Sequence, residues 1–190
     1  MSLTKQHQNI LLNIARESIE NGYRTGHPLS IDIRDYPAEL RVPRATFVTL
    51  EKNHQLRGCI GMLEAVLPLV EDVAENAFSA AYKDPRFPPV ERSEIAQLDI
   101  FISILSEPEA MQFSSEEDLL RQIRPGVDGL ILVENGYKGT FLPSVWESLP
   151  EKVQFLRHLK NKAGLPADYW SDSIQVYRYT TESFGTAAKH

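Results

Sequence analysis

The chain has 190 residues, 42% of them hydrophobic and 24% charged, and a formal net charge of −6. These values are typical of a soluble globular chain of about one domain, which can bury a core without cross-links. A single cysteine excludes an internal disulfide and a multi-cysteine zinc site.

The sequence contains no apolar run that approaches the roughly 20 residues needed to span a bilayer. The N-terminal stretch lacks the basic region and uninterrupted apolar core of a secretory signal. Neither half of the chain is basic, which disfavours a broad nonspecific surface for nucleic acid but leaves a local patch open. We therefore expect a cytoplasmic protein that does not enter the membrane.

The first half of the chain predicts a helix, a hairpin and a second helix. Apolar residues at helical spacing indicate a helix from about Thr4 to Glu20, ended by Asn21-Gly22. Residues 23–44 follow as mostly loop. The stretch "ATFVTLEKNHQLRGCIGML" then predicts two strands around a polar turn at Lys52–Gln55, and the helix after it begins at Pro68.

The second half alternates strands and helices again. "KDPRFPPV" is a loop because its prolines forbid regular pairing, and "QLDIFISILS" predicts a strand. "GLILVENGYKGTFL" predicts a hairpin, "SIQVYRYTT" a last strand and "ESFGTAAKH" a loose tail. The expected helix boundaries in this half are Ser114 with Glu117 for one helix, and Ser148 with Glu151 and Gly164 for the next.

Helices interspersed with prominent hairpins predict an α+β fold, with packed helices and a mostly antiparallel or mixed sheet rather than a doubly wound parallel one. The tripeptides Arg57-Gly58-Cys59 and Lys138-Gly139-Thr140 occupy the same place in the two hairpins, and each hairpin leads through a proline into a helix. This similarity indicates a duplicated hairpin–helix unit, with chance as the alternative.

The stretch "LRGCIG" contains the one cysteine of the chain. Strict alternation along a strand puts Arg57, Cys59 and Gly61 on one face, where Gly61 leaves bare backbone beside the thiol. A neighbouring guanidinium favours the thiolate, so Cys59 is a candidate catalytic nucleophile, and Arg57 can equally hold a carboxylate or phosphate. In the alternative interpretation Cys59 is a small buried residue, and Gly58 and Gly61 allow close packing.

The loop "KDPRFPPV" is a second candidate binding site. Its prolines make the loop rigid, so that Asp84, Arg86 and Phe87 are held in position to bind a ligand. In the alternative interpretation Phe87 packs into the core and the two charged residues pair locally.

The sequence has no HxH or HExxH pair, no Walker loop, no GxGxxG after a strand and no GxSxG elbow. It therefore indicates no metal site and leaves any cofactor unknown. Trp146, at helical spacing, is interpreted as a core residue.

Together these stretches resemble the AMMECR domain family. "LRGCIG" is similar to the hallmark hexapeptide of the family, and further matching stretches follow in the family's order, namely "DPRFPPV", "ISILSEPE", "GVDGLIL", "GTFLPSVW" and "LKNKAGL". The resemblance covers about residues 8–180 of a single domain spanning 1–190. It implies an α+β fold of two unequal subdomains, the larger from both ends of the chain and the smaller inserted in the middle.

The resemblance also implies a functional context. Bacterial and archaeal members often occur with a Memo-like protein and a radical-SAM enzyme, which indicates a substrate- or partner-binding component of a modification pathway. Because the reaction of the family is not settled, the resemblance carries over only a functional strand at Arg57, Gly58, Cys59 and Gly61, and whether the chain is an enzyme stays open. The alternatives are a non-enzymatic interaction adaptor and an RNA-associated protein that uses the two candidate arginines and Phe87.

Overall fold

The computed structural model describes residues 2–188, which form two compact units. The larger unit runs to Leu105 and takes up the chain again at Glu182, and the smaller unit is Ser106–Thr181. In chain order the elements are α1 (Lys5–Thr25), two 3-10 turns (Ile33–Asp35 and Ala38–Leu40), β1 (Thr46–Lys52), β2 (Gln55–Gly61), α2 (Leu69–Tyr82), α3 (Arg92–Ile95), β3 (Asp99–Leu105), β4 (Glu109–Ala110), α4 (Glu116–Gln122), β5 (Gly129–Glu134), β6 (Tyr137–Phe141), a 3-10 turn (Pro143–Glu147), α5 (Lys152–Ala163), β7 (Gln175–Tyr179) and β8 (Thr181–Gly185).

The larger unit is built on a four-stranded sheet in the order β2-β1-β3-β8, with β1 antiparallel to both β2 and β3. Helices α1 and α2 share one hydrophobic core with this sheet. Alternate residues of β1 and β3 point into that core, as expected for strands covered on one face. These buried residues are Val48, Leu50, Ile100, Ile102 and Ile104.

Helix α1 is longer than predicted, and the expected stop at Asn21-Gly22 is wrong. The helix continues to Thr25 and ends at Gly26, whose φ of 77° is the left-handed conformation of a helix C-cap. Gly22 lies within the helix, at a position where a Cβ would approach the rings of Phe78 and Tyr82 to 2.6 Å. This glycine therefore admits the aromatic side chains of α2 instead of ending α1.

The smaller unit has a second sheet, in the order β4-β7-β5-β6, and all three of its pairings are antiparallel. Helices α4 and α5 contribute to a separate core. There Trp146 stacks on Phe155 with ring centroids 3.7 Å apart, and its indole N–H donates to the Asp128 carbonyl at 2.8 Å. The two antiparallel sheets with packed helices confirm the predicted α+β class.

Two helix starts and the C-terminal segment differ from the prediction. Ser115, and not Ser114, accepts the backbone hydrogen bond that caps α4, and α5 begins after Glu151 without a side-chain cap. The segment expected to be a loose tail contains β8, in which the Ser183 hydroxyl lies 2.8 Å from the Ser103 hydroxyl. The pairing of β8 with β3 depends on residues far apart in sequence, so local patterns could not predict it.

The two units repeat one arrangement of hairpin, helix and strand. In each unit the strand that follows the helix pairs with the first strand of the hairpin, which gives the orders β2-β1-β3 and β6-β5-β7. The second hairpin strand is an edge strand and carries a glycine against the helix. A Cβ on Gly58 would lie 2.1 Å from the Ala80 carbonyl oxygen, and one on Gly139 would lie 2.8 Å from the Ala163 nitrogen. These are the glycines of the two similar tripeptides.

Within residues 2–188, no helix has both the length and the apolar character that crossing a bilayer requires. Helix α1, with 21 residues, has the length, but charged and polar residues occur along it.

Candidate functional site

The cysteine lies on the face of the first sheet that is opposite α2. Gly58 faces the helix, so its neighbour Cys59 points to the other side of the sheet. On that side Cys59 is paired with Thr49, and Thr49 is paired with Phe101 of β3. We call these three residues the Cys59 row. The Cys59 Sγ is 3.2 Å from the Thr49 hydroxyl, and the residue is half-buried, so the thiol is positioned and still partly accessible.

The loop after α2 holds both backbone groups of Cys59. The Cys59 N–H donates to Asp84 Oδ2 at 3.0 Å, and Arg86 Nη2 donates to the Cys59 carbonyl at 3.4 Å. Arg86 also binds Asp84 through Nε at 3.0 Å and Nη2 at 2.7 Å. Because β2 is an edge strand, these two side chains occupy the place that a further strand would take at Cys59.

This ion pair sets the charge state of the loop. The hydrogen bond from Arg86, with further hydrogen bonds from the backbone of Cys59 and of Arg86, holds the pKa of Asp84 well below its usual range. The pKa of Arg86 is raised, first by its hydrogen bond to Asp84 and in part by Coulombic attraction to Cys59. The guanidinium lies 5.5 Å from the centre of the half-buried Phe87 ring. Arg86 is therefore a cation that is bound to the backbone of Cys59.

The expected role of Arg57 beside the thiol is not what the structure shows. A β-bulge shifts the register of the hairpin, because Glu51 is paired with Leu56 and Leu50 with Gly58. Arg57 is the extra residue and has no direct partner on β1. Side chains of β2 therefore do not alternate strictly between the two faces of the sheet. The Arg57 guanidinium instead forms two hydrogen bonds with Glu94, at 3.0 and 3.1 Å. Hydrogen bonding from Arg57 is the main cause that lowers the pKa of Glu94 to about 2, and hydrogen bonds from the Glu91 backbone and from Lys52 add to it.

The glycines of "LRGCIG" sit where neighbouring groups leave no room for a side chain. At Gly61 a Cβ would lie 2.3 Å from the ring of Phe47, its partner across the strands, so the space beside it is filled by that ring and is not bare backbone as expected. Gly58 faces α2, on the opposite side of the sheet from the thiol. Both glycines therefore serve close packing around Cys59.

The structure brings together the predicted residues Cys59, Asp84 and Arg86, and Phe87 lies next to Arg86. The sequence-based prediction missed Thr49. The hairpin turn consists of Asn53 and His54, both with positive φ. Counted from this turn without a bulge, Thr49 would be paired with Gly58. The bulge shifts the pairing by one residue, so that Thr49 is paired with Cys59. The sequence-based prediction also missed Glu94, for which no short motif gives a signal. Within the described part of the chain, no group of three or more potential metal-binding His, Cys, Asp or Glu side chains occurs.

These features define an α+β protein of two hairpin–helix units with a positioned thiol on the open face of the larger one. The sequence profile of the AMMECR1 family matches residues 12–184. The chain therefore belongs to the AMMECR1 family.

The chain is similar along its length to archaeal proteins. A protein of Methanothermobacter thermautotrophicus is 39% identical over 188 residues, covering 96% of this chain and 95% of its own length. A protein of Methanocaldococcus jannaschii is 38% identical, covering 96% and 91%. The crystal structure of uncharacterized protein PH0010 from Pyrococcus horikoshii superposes with a TM-score of 0.87 at 36% identity, covering 95% of this chain and 91% of that one.

Proposed function

We propose that this chain is a cytoplasmic substrate- or partner-binding component of a modification pathway that it shares with a Memo-like and a radical-SAM protein. Its binding surface is the Cys59 row together with Arg86. The observation that carries the proposal is the double hold on the Cys59 backbone by Asp84 and Arg86. A loop 25 residues away in sequence fixes the position of one partly accessible thiol, which is the preorganisation that a binding site requires.

The chemistry of this surface suits a neutral polar ligand, such as a backbone carbonyl of a peptide. Nε and Nη2 of Arg86 are engaged by Asp84, which leaves Nη1 to donate to an incoming oxygen. The thiol and the Thr49 hydroxyl add a weak and a strong hydrogen-bonding group next to it. Phe101, at the far end of the row, is buried and closes the row on that side. The surface can therefore bind without any covalent step, and thiol chemistry is a further property to be tested.

The charge pairing weighs against the RNA-associated alternative. The two arginines on which that alternative depends each face a carboxylate, Arg57 at Glu94 and Arg86 at Asp84. Phosphate contacts need cations that are not already neutralised, and binding through them falls steeply with salt. The interaction adaptor uses the same surface as the main proposal and differs in binding only partner proteins and no substrate of the pathway.

The first test is alkylation of the native protein with iodoacetamide, followed by intact mass. Because the chain has one cysteine, a single added group reports Cys59 alone. We expect modification under native conditions. A thiol that reacts only after unfolding would make Cys59 a packing residue and would remove it from the binding surface.

The second test is capture of the Memo-like and radical-SAM proteins of the same organism by the immobilised chain. We expect Arg86→Ala to weaken the affinity for both partners by about tenfold, as for loss of a charged hydrogen bond. We expect alkylated protein to lose capture as well, because the added group occupies the surface at Cys59. Arg157→Ala, which removes an exposed arginine in α5, should leave it unchanged. Equal capture by all four proteins would overturn the proposed surface. If Cys59→Ser captures both partners and still supports formation of the pathway product, the thiol has no chemical role. Capture with loss of the product in that variant points to thiol chemistry.

A further inference from the structure

A groove on the larger unit runs between α1 and α3. Its volume is about 700 Å³, within the range of about 300–1,000 Å³ that small-molecule sites occupy. The side chains that form its walls include Arg16, Glu20, Tyr23 and Arg24 of α1 and Arg92 and Ile95 of α3. A second, shallower depression continues from Tyr23 and Arg92. The Cys59 row does not contribute to either.

The groove concentrates positive charge in an acidic protein. Three arginines face one glutamate, which gives its walls a net formal charge of +2, whereas the whole chain carries −6. No carboxylate of residues 2–188 forms an ion pair with any of these three arginines. The arginines of the Cys59 region, by contrast, are each matched by a carboxylate. Unmatched guanidiniums at a concave surface are poised to bind an anion.

One of the three arginines is held rigidly and fixes the geometry of the groove. Arg16 Nη1 donates to the Ile95 carbonyl at 2.8 Å, and Nη2 donates to the Leu98 carbonyl at 2.9 Å. These bonds tie α1 to the end of α3 and leave further guanidinium hydrogens for a ligand. Arg24 and Arg92 are exposed. Both side chains can therefore move to contact an anion without breaking contacts in the core.

The groove also offers an aromatic surface beside the charges. Tyr23 is 49% exposed although it is a large aromatic residue, and it lines both depressions. Ile95 adds a buried apolar contact to the same wall. A ligand that combined an anionic group with a planar ring would match both parts of the surface.

We propose that this groove is a binding site for a phosphate monoester that carries a planar ring, such as a nucleoside monophosphate. The phosphate of such a ligand has a charge of about −1.5 to −2 at neutral pH, which matches the +2 of the walls better than a monocarboxylate does. Arg24 and Arg92 hold the phosphate, Arg16 keeps the two helices at a fixed separation, and Tyr23 stacks on the ring. This site is separate from the Cys59 row and does not depend on its function.

The experiment is calorimetric titration of the full chain with AMP, with inorganic phosphate and adenosine as the partial ligands. We expect saturable binding of AMP with a Kd below about 1 mM, competition by inorganic phosphate, and a weaker response to adenosine. Absence of saturable binding up to about 10 mM AMP would overturn the proposal.

Variants locate the site. Arg92→Ala should weaken AMP binding by about tenfold, whereas Arg157→Ala, an equal loss of charge on α5, should change it less than about twofold. Tyr23→Ala should weaken AMP but leave inorganic phosphate unaffected. Both lining residues are exposed, so the circular dichroism spectra should not change. Equal weakening by Arg92→Ala and Arg157→Ala would show diffuse electrostatic attraction and overturn the site.

Discussion

Asp72 is a buried carboxylate with incomplete pairing. It is fully buried in α2, where Oδ2 accepts from the Thr46 hydroxyl at 2.7 Å and from Asn76 at 3.0 Å, while Oδ1 has no partner within the described residues. Burial raises its pKa to about 6. Since the unfolded value is about 3.9, the folded state binds the proton more tightly. The free energy of unfolding therefore falls as the pH rises from about 4 to 6 and stays lower above that.

We expect Asp72→Asn to stabilise the protein at pH 7 by about 1–2 kcal/mol and to have no such effect at pH 4. Urea denaturation at the two pH values measures this difference, with Glu117→Gln, an exposed residue of α4, as the control. A loss of stability at pH 7 would mean that the hydrogen bonds of the carboxylate outweigh the cost of burying its charge.

Glu94 has the opposite dependence on pH. Its pKa is lowered to about 2, mainly by the hydrogen bond from Arg57, so its contribution is present above the unfolded value of about 4.3 and is lost as the pH falls through about 2. Both side chains of the pair are largely buried. We expect Glu94→Gln to lower the free energy of unfolding by about 2 kcal/mol at pH 7, with a smaller difference from the parent at pH 3. Chemical denaturation at both pH values tests it, and a constant difference would contradict the assignment.

At the scale of elements, the repeated hairpin–helix packing depends on one glycine in each unit. Gly58→Ala forces a Cβ against the backbone of α2 and Gly139→Ala forces one against α5, so both should destabilise by about 2–3 kcal/mol. Both tryptophans, Trp146 and Trp170, belong to the smaller unit, whereas the cysteine belongs to the larger. Tryptophan fluorescence during urea unfolding should therefore report Gly139→Ala. Alkylation of Cys59 along the same urea series, read as the rise above its native level, should report Gly58→Ala.

Exposed neighbours on the same strands provide the matched controls. Gln55→Ala on β2 and Lys138→Ala on β6 remove side chains without placing an atom under a helix. Neither control should change the free energy of unfolding, measured with either probe, by more than about 0.5 kcal/mol. If both glycine variants behaved like these controls, the helices would have to move away from the strands without penalty, contrary to the close packing.

At the scale of the whole molecule, the smaller unit has the properties of an inserted domain. Its two ends meet, because the Ser106 N–H donates to the Thr180 carbonyl at 2.8 Å and the Thr180 N–H donates to the Ser106 hydroxyl at 2.8 Å. It also has a hydrophobic core of its own. We expect a fragment of residues 106–181 to fold independently, with a cooperative thermal transition and dispersed amide resonances. A fragment without a cooperative transition would show that this core needs the rest of the chain.

Elements that depend on local patterns could be predicted from the sequence alone. The alternation of "QLDIFISILS", the Asn-Gly turn of the second hairpin and the paired glycine tripeptides were enough for the α+β class and for the repeated unit. The same patterns predicted Cys59 and the Asp84–Arg86 loop as candidate site residues, because a lone cysteine and a proline-rich loop are conspicuous in a sequence. Helix ends were less certain, since Gly22 resembles a stop signal until the rings that pack on it are known.

Which residues share the candidate site depends on strand register and on contacts between distant segments, and it became known only from the folded chain. One bulged residue moved Arg57 away from the thiol and placed Thr49 beside it, and a change of one position in register cannot be deduced from a period of two. The partner of Arg57, Glu94, is 37 residues further along the chain, and the strand β8, close to the C-terminal end of the described chain, pairs with β3. Such contacts form because folding buries distant segments together, and no local pattern records them.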